Sequence, residues 1–186
     1  VLYFPAHGGT LLRRLWVPEA VAERRQRKER ITYATWAKQG LITTTPGDVV
    51  DYDVVFADIM ELANRYLIQQ IGVDPWNSAA MMTRLGNAGL KVVNFRQGFA
   101  SMSSPSKSFE EKALAGRIRH SGDAPWRWMV GNCVVDKDAA GNIKPTKARS
   151  ADRIDAVVAA IMAVGLADAD PNAGGSVYVS RGLLAV

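Results

Sequence analysis

Residues 72–77 read GVDPWN. The five residues before them, Leu67-Ile68-Gln69-Gln70-Ile71, run into Gly72-Val73 and predict a short strand over Ile68–Val73. That strand stops on a carboxylate, Asp74, and Pro75 follows at once. In open α/β sheets, ligands gather outside the carboxyl ends of strands. Proline fixes its own φ and removes a donor, so it would hold Asp74 at a defined place. Two readings stand at this point: an acid facing an active cleft, or a turn or cap residue and nothing more.

Working outward, helices and strands alternate around this stretch. Before it, Val55, Ile59, Leu62, Tyr66 and Phe56, Met60, Ala63, Leu67 recur at helical spacing, which predicts a helix from Asp53 to Leu67 with Asp53 as its cap. After it come a helix over 77–88, capped by Asn77 or Ser78, and a strand over 89–95. Ser104 and Pro105 are expected to start a helix reaching 117. Trp126 to Cys133 reads equally as helix or extended chain. CVVDKDAAGNIKP reads as a hairpin turning at Ala140-Gly141-Asn142, and Ala151 to Leu166 as a helix ending near Gly165. Towards the N-terminus, residues 1–5 and 10–17 suggest two antiparallel strands around a glycine turn. Pro18-Glu19 opens a helix, 33–39 is a short helix stopped by Gly40, and LITTTPGDVVDYD is a strand or extended loop. The order implies a mixed α/β layout with a sheet core.

The chain has 186 residues, 48% hydrophobic and 22% charged, as expected of one globular domain with a sizeable core. Its longest apolar stretch, Ala156 to Ala167, is too short to span a bilayer, so no membrane partner is expected. No secretory leader is visible, and the opening Val1-Leu2-Tyr3-Phe4-Pro5 is already strand-like, as in an excised part of a longer protein. One cysteine, Cys133, excludes an internal disulfide and a cysteine-based zinc site; its apolar neighbours suit a small packing residue. The net charge of +5 and pI near 9.5 weakly favour a polyanionic partner. The charged run AERRQRKER (22–30) reads as a solvated helix face, with docking to DNA or protein as the alternative. His7 and His120 read as surface or turn residues, and Trp76, Trp126 and Trp128 as core or cleft-wall packing.

A second acid raises the interest of Asp74. Asp155 sits beside Ile154 and Ala156-Val157-Val158 on a helix that is apolar almost all round. A carboxylate at the edge of such a surface is costly unless paired or metal-bound. The alternatives are a pair with Arg153 or Arg149, or an interaction with the helix N-terminus. Asp152, one turn earlier on nearly the same face, is a weaker candidate. Isolated carboxylates near basic residues suit Mg2+ or Mn2+, which take oxygen ligands and need no histidine. In phosphodiester cleavage, two such ions activate water and stabilise the leaving oxygen.

Longer phrases are more specific than this spacing. YATWAKQGLITTTPGDVVDYD (33–53), VDPWNSAAMMTRLGNAGLKVV (73–93), RQGFASMSSPSKSFEEKALAGRIRHSGD (96–123) and WRWMVGNCVVDKDAAGNIKPTKARSADRIDAVVAAIMAVGLA (126–167) occur in that order. Together they strongly resemble the C-terminal nuclease domain of the large terminase subunit of tailed bacteriophages, from about Trp16 to Ala167. The resemblance implies a ribonuclease-H-like mixed sheet flanked by helices, and a nuclease domain over 1–167 with a C-terminal tail over 168–186. It implies a metal-dependent endonuclease that cuts concatemeric double-stranded DNA in the host cytoplasm without being a virion structural component. A separate N-terminal ATPase domain, the small terminase subunit and the portal are its implied partners. The chain has no GxxxxGK[ST] phosphate loop and is expected to carry no motor. By position, Asp74 matches the acid at the end of the central strand and Asp155 the acid on the last helix, as ligands of a two-metal Mg2+ or Mn2+ site, with Asp152 a further candidate. The family also uses an aspartate on the first strand, which has no match here and is expected to lie before Val1. Lys107, Lys144, Lys147 and Arg149 are the expected DNA contacts. The alternative is a catalytically incompetent module that only binds DNA or docks on the portal.

Overall fold

The computed structural model describes residues 1–29 and 32–170. In chain order its elements are β1 (Leu2–Phe4), a 3-10 turn (Pro5–His7), β2 (Thr10–Leu12), β3 (Trp16–Pro18), α1 (Glu19–Glu29), α2 (Tyr33–Lys38), β4 (Thr43–Thr45), α3 (Tyr52–Arg65), β5 (Ile71–Val73), α4 (Ala79–Asn87), β6 (Val92–Asn94), α5 (Phe99–Leu114), α6 (Ala124–Asn132), β7 (Val135–Lys137), β8 (Ile143–Pro145) and α7 (Asp155–Ala169). The mixed α/β layout is the one expected. Antiparallel pairs are β1–β2 and β7–β8; parallel pairs are β3–β4 and β5–β6. The chain divides into two units, one built from Val1–Leu12, Arg96–Ser121 and the stretch beginning at Asn132, the other from Arg13–Phe95 and Gly122–Gly131.

The first unit is organised by α7. Ile154, just before its first turn, and Ala160 and Val164 within it are wholly buried, and Ala156, Val157, Val158, Ile161 and Met162 nearly so. A helix apolar on nearly all sides needs cover on more than one side. Here α5 and β1 both pack on it, and β8 packs on α5. Each fully buried valine or isoleucine contributes about 1.5–3 kcal/mol relative to exposure. The helix starts at Asp155 rather than Ala151. The Ser150 hydroxyl bonds the Thr146 carbonyl, and Asp152 Oδ1 accepts from the Arg153 amide, so this segment is committed to local turns. The same helix runs through Gly165 and ends at Ala169, so Asp168 and Ala169 belong to it. Residues 171–186 lie outside the described part.

Helix α5 begins at Phe99, with Gly98 as its cap residue, so Ser104 is not the cap and Pro105 sits in the helix interior. An interior proline costs about 3 kcal/mol. Burial of Met102, the bond that the Ser103 hydroxyl accepts from the Ile143 amide, and packing on α7 offset that cost. The hairpin β7–β8 turns at Gly141, whose φ of +80° is left-handed. A close approach fixes Gly9: a Cβ there would lie 2.0 Å from the Arg117 carbonyl oxygen, where residues 9–11 bond the backbone of Arg119.

In the second unit, two strand–helix–strand passages each form a parallel pair: β3 reaches β4 through α1 and α2, and β5 reaches β6 through α4. The expected N-terminal strand over 10–17 is thus broken at 13–15, and 16–18 joins β4 instead of continuing the hairpin. Tyr33, Trp36 and Trp128 form an aromatic cluster with ring centroids 5.4–6.0 Å apart, beside buried Ala22 and Ile42. Trp126 is buried on α6, which resolves the ambiguous stretch as helix. Asp51, not Asp53, caps α3 by accepting from the amides of Asp53 and Val54. Arg13 joins three distant segments: it donates Nε to both Asp123 carboxylate oxygens and Nη1 to the Leu41 carbonyl, with both charged side chains 10% exposed.

Candidate functional site

Asp74 follows the last residue of β5. Its Oδ1 accepts the Trp76 amide at 3.2 Å, and the Ser78 hydroxyl donates to its carbonyl. Asn77 adopts φ +56°, a left-handed conformation that asparagine tolerates better than most residues. The turn reading of Asp74 therefore has a physical basis: a rigid Asp-Pro-Trp-Asn turn holds a half-buried acid at a strand end. Ser78 occupies the cap position of α4 without a side-chain cap bond, and Asn77 does not cap it. Trp76, expected as packing, is 81% exposed, since it stands at the tip of this turn between Pro75 and the left-handed Asn77.

Asp155 is the first residue of α7, where a carboxylate is favoured by the exposed amides of the helix start. Its partner is Lys147, with Nζ 2.6 Å from Oδ1. Of the expected alternatives, the place at the helix start is the one found, and the arginine pair is not: Arg149 bonds Asp136 at 2.6 Å. Asp152 lies before α7 and not on its face, because the helix starts three residues later, and it bonds the adjacent Arg153 amide. The structure thus brings Lys147 to Asp155 within one unit, while Asp74 belongs to the other.

The basic candidates differ in what they touch. Lys107 is exposed on α5. Lys144 on β8 donates to the Gln97 carbonyl at 3.4 Å and lies 5.0 Å from the centroid of the Phe99 ring. Arg149 helps to hold the Asp136 carboxyl below its ordinary pKa, after the larger effect of the Thr146 hydrogen bond. Asp136 was not among the residues singled out from sequence; its position across the hairpin from Lys144 was the available signal. Cys133 is half-buried, and burial pushes its thiol pKa up, as for a packing residue and not a nucleophile. His120 is exposed.

A carboxylate such as that of Asp155 offers only oxygen, the donor that hard divalent cations take. Among the described residues, no three of His, Cys, Asp and Glu gather closely enough to hold a metal ion.

Comparison with known proteins places this arrangement in context. Residues 2–170 match the model of the terminase large subunit endonuclease domain. The terminase large subunit of Enterobacteria phage HK97 is 36% identical over 157 residues, covering 83% of this chain and 31% of that protein. Protein YmfN of Escherichia coli strain K12 is 31% identical over 161 residues, covering 83% of this chain and 35% of that protein. The chain spans about a third of the length of these curated relatives. The crystal structure of the HK97 large terminase aligns with a TM-score of 0.75 at 37% identity, over 81% of this chain and 32% of that one. The large terminase nuclease of thermophilic phage G20c aligns with a TM-score of 0.51 at 16% identity, over 63% of each chain, and shares the fold. The ribonuclease-H-like α/β layout expected from the sequence is the one these structures share. With its family model matched from residue 2 to residue 170, the chain belongs to the endonuclease domain family of terminase large subunits.

Proposed function

We propose that this domain is the metal-dependent nuclease of a DNA-packaging terminase, cutting concatemeric double-stranded DNA in the host cytoplasm. The match to the endonuclease domain from residue 2 to 170 carries this reading. Asp74 and Asp155 are its metal ligands, with Asp152 as a further candidate, and Mg2+ or Mn2+ is the ion suited to their oxygens. When bound, such an ion supplies Lewis acidity at the scissile phosphate and an activated water. The chain's own residues position the substrate: Lys107, Lys144, Lys147 and Arg149 meet backbone phosphates, whose contacts set register and carry no base preference. The whole protein adds an N-terminal ATPase domain, and its partners are double-stranded DNA, the small terminase subunit and the portal.

Plasmid nicking by the intact subunit in Mn2+ tests the assignment. Asp74→Ala and Asp155→Ala each abolish nicking while leaving the melting profile intact. An acid whose alanine variant still cuts is removed from the role. Calorimetric titration with Mn2+ separates this reading from a non-catalytic docking module: no binding at millimolar ion supports the module.

A further inference from the structure

Lys144, Lys147 and Arg149 follow one another in a short run from β8, and each has a different partner. Lys144 is held by the Gln97 carbonyl and the Phe99 ring, and Arg149 by Asp136. Lys147 faces Asp155, the acid read above as a metal ligand, at 2.6 Å. The two side chains are 58% and 46% exposed, so water and ions reach both. An exposed pair of this kind shifts an equilibrium by a factor of about five at most. That is weak enough for a carboxylate to be given up to a divalent cation. Around Lys147 the backbone is pinned: the Thr146 amide bonds the Val134 carbonyl, and the Ser150 hydroxyl both accepts from the Val134 amide and donates to the Thr146 carbonyl. Lys147 can therefore change partner by swinging its flexible stem alone.

We propose that Lys147 is an exchange cation. It neutralises Asp155 while no metal is held, yields the carboxylate to the metal, and then turns to a DNA phosphate. The inference rests on the assignment of Asp155 to metal and Lys147 to phosphate, and adds that the two roles are coupled through one contact. Coupling between two binding events is reciprocal. Metal therefore tightens DNA binding through Lys147, and DNA tightens metal binding by drawing Lys147 away.

Two measurements on the intact subunit test it, each preceded by a thermal melt of the variants. In Mn2+ calorimetry without DNA, Lys147→Gln binds about threefold tighter than the parent, a gain within the range of exposed pairs, and Lys147→Arg matches the parent. In EDTA, Asp155→Asn frees Lys147 and tightens binding of a short DNA duplex about threefold, and that gain disappears in the Lys147→Gln background. A gain that persists in that background reports only relief of repulsion between Asp155 and phosphate, and overturns the exchange. So does an Mn2+ affinity that Lys147→Gln leaves unchanged while Asp155→Ala still loses the binding heat. Failure of the underlying assignment looks different: Asp155→Ala then keeps both the Mn2+ heat and plasmid nicking.

Discussion

Single atoms decide several positions in this chain. At Gly9 a Cβ would meet the Arg117 carbonyl oxygen at 2.0 Å, and the residue also needs φ +69°. Gly40 has the same φ of +69° but open space around the missing Cβ. Gly9→Ala should therefore cost about 3 kcal/mol, combining left-handed strain with a backbone clash. Gly40→Ala should cost about 1 kcal/mol from strain alone. Urea unfolding of the two variants reads the difference, and equal losses would remove the clash from the account. Asp51→Ala should cost about 1 kcal/mol by leaving the amides of Asp53 and Val54 without their cap, whereas Asp53→Ala should cost less. Sequence pointed to Asp53 because apolar periodicity locates a helix face better than its first residue. What makes Asp51 the cap is which backbone amides come within its reach, while Asp53 pairs with Arg84 instead, and spacing encodes neither.

Elements were legible where pattern and turn chemistry agreed. The β7–β8 hairpin was readable because Ala140-Gly141-Asn142 supplies a left-handed glycine between two short apolar runs. Helix α5 was misread because Pro105 is a start signal in isolation, and only the burial of Met102 and Ser103 against the rest of its unit overrides it. The start of α7 was misplaced for a related reason: Ser150 and Asp152 make local bonds that compete with the helix. Asp74 and Asp155 were found as isolated acids, but Lys147 as the partner of Asp155 was not, since an arginine stood nearer in sequence. The hairpin carries a pH dependence. Hydrogen bonds from Thr146 and Arg149 lower the Asp136 pKa, and those from Asn142 lower that of Asp138. A carboxylate held low in the folded state adds stability at neutral pH, and that stability is lost as pH falls through its ordinary value of 3.8 towards the depressed one. Denaturation series from pH 6 to about pH 3 should show a smaller acid loss for Asp136→Asn than for the parent. Parallel losses would place the acid sensitivity elsewhere.

On the scale of the whole molecule, a net charge of +5 sets the expectation for DNA. Affinity for a duplex should fall steeply with salt, by about 0.9 in log–log slope for each phosphate contact. Lys107→Gln should lower that slope by about one, measured by fluorescence anisotropy across a salt series. An unchanged slope would remove Lys107 from the interface. The contact between Arg13 and Asp123 bears on how the chain comes to be folded at all. A ribosome delivers Arg13 long before its partner, because 110 positions separate them. The unit containing Arg13 is finished only when Gly122–Gly131 has emerged, and the other unit still awaits the segment that begins at Asn132. Neither unit of the nascent chain is complete early, so the guanidinium waits in water through 110 further residues of synthesis for the acid that will hold it.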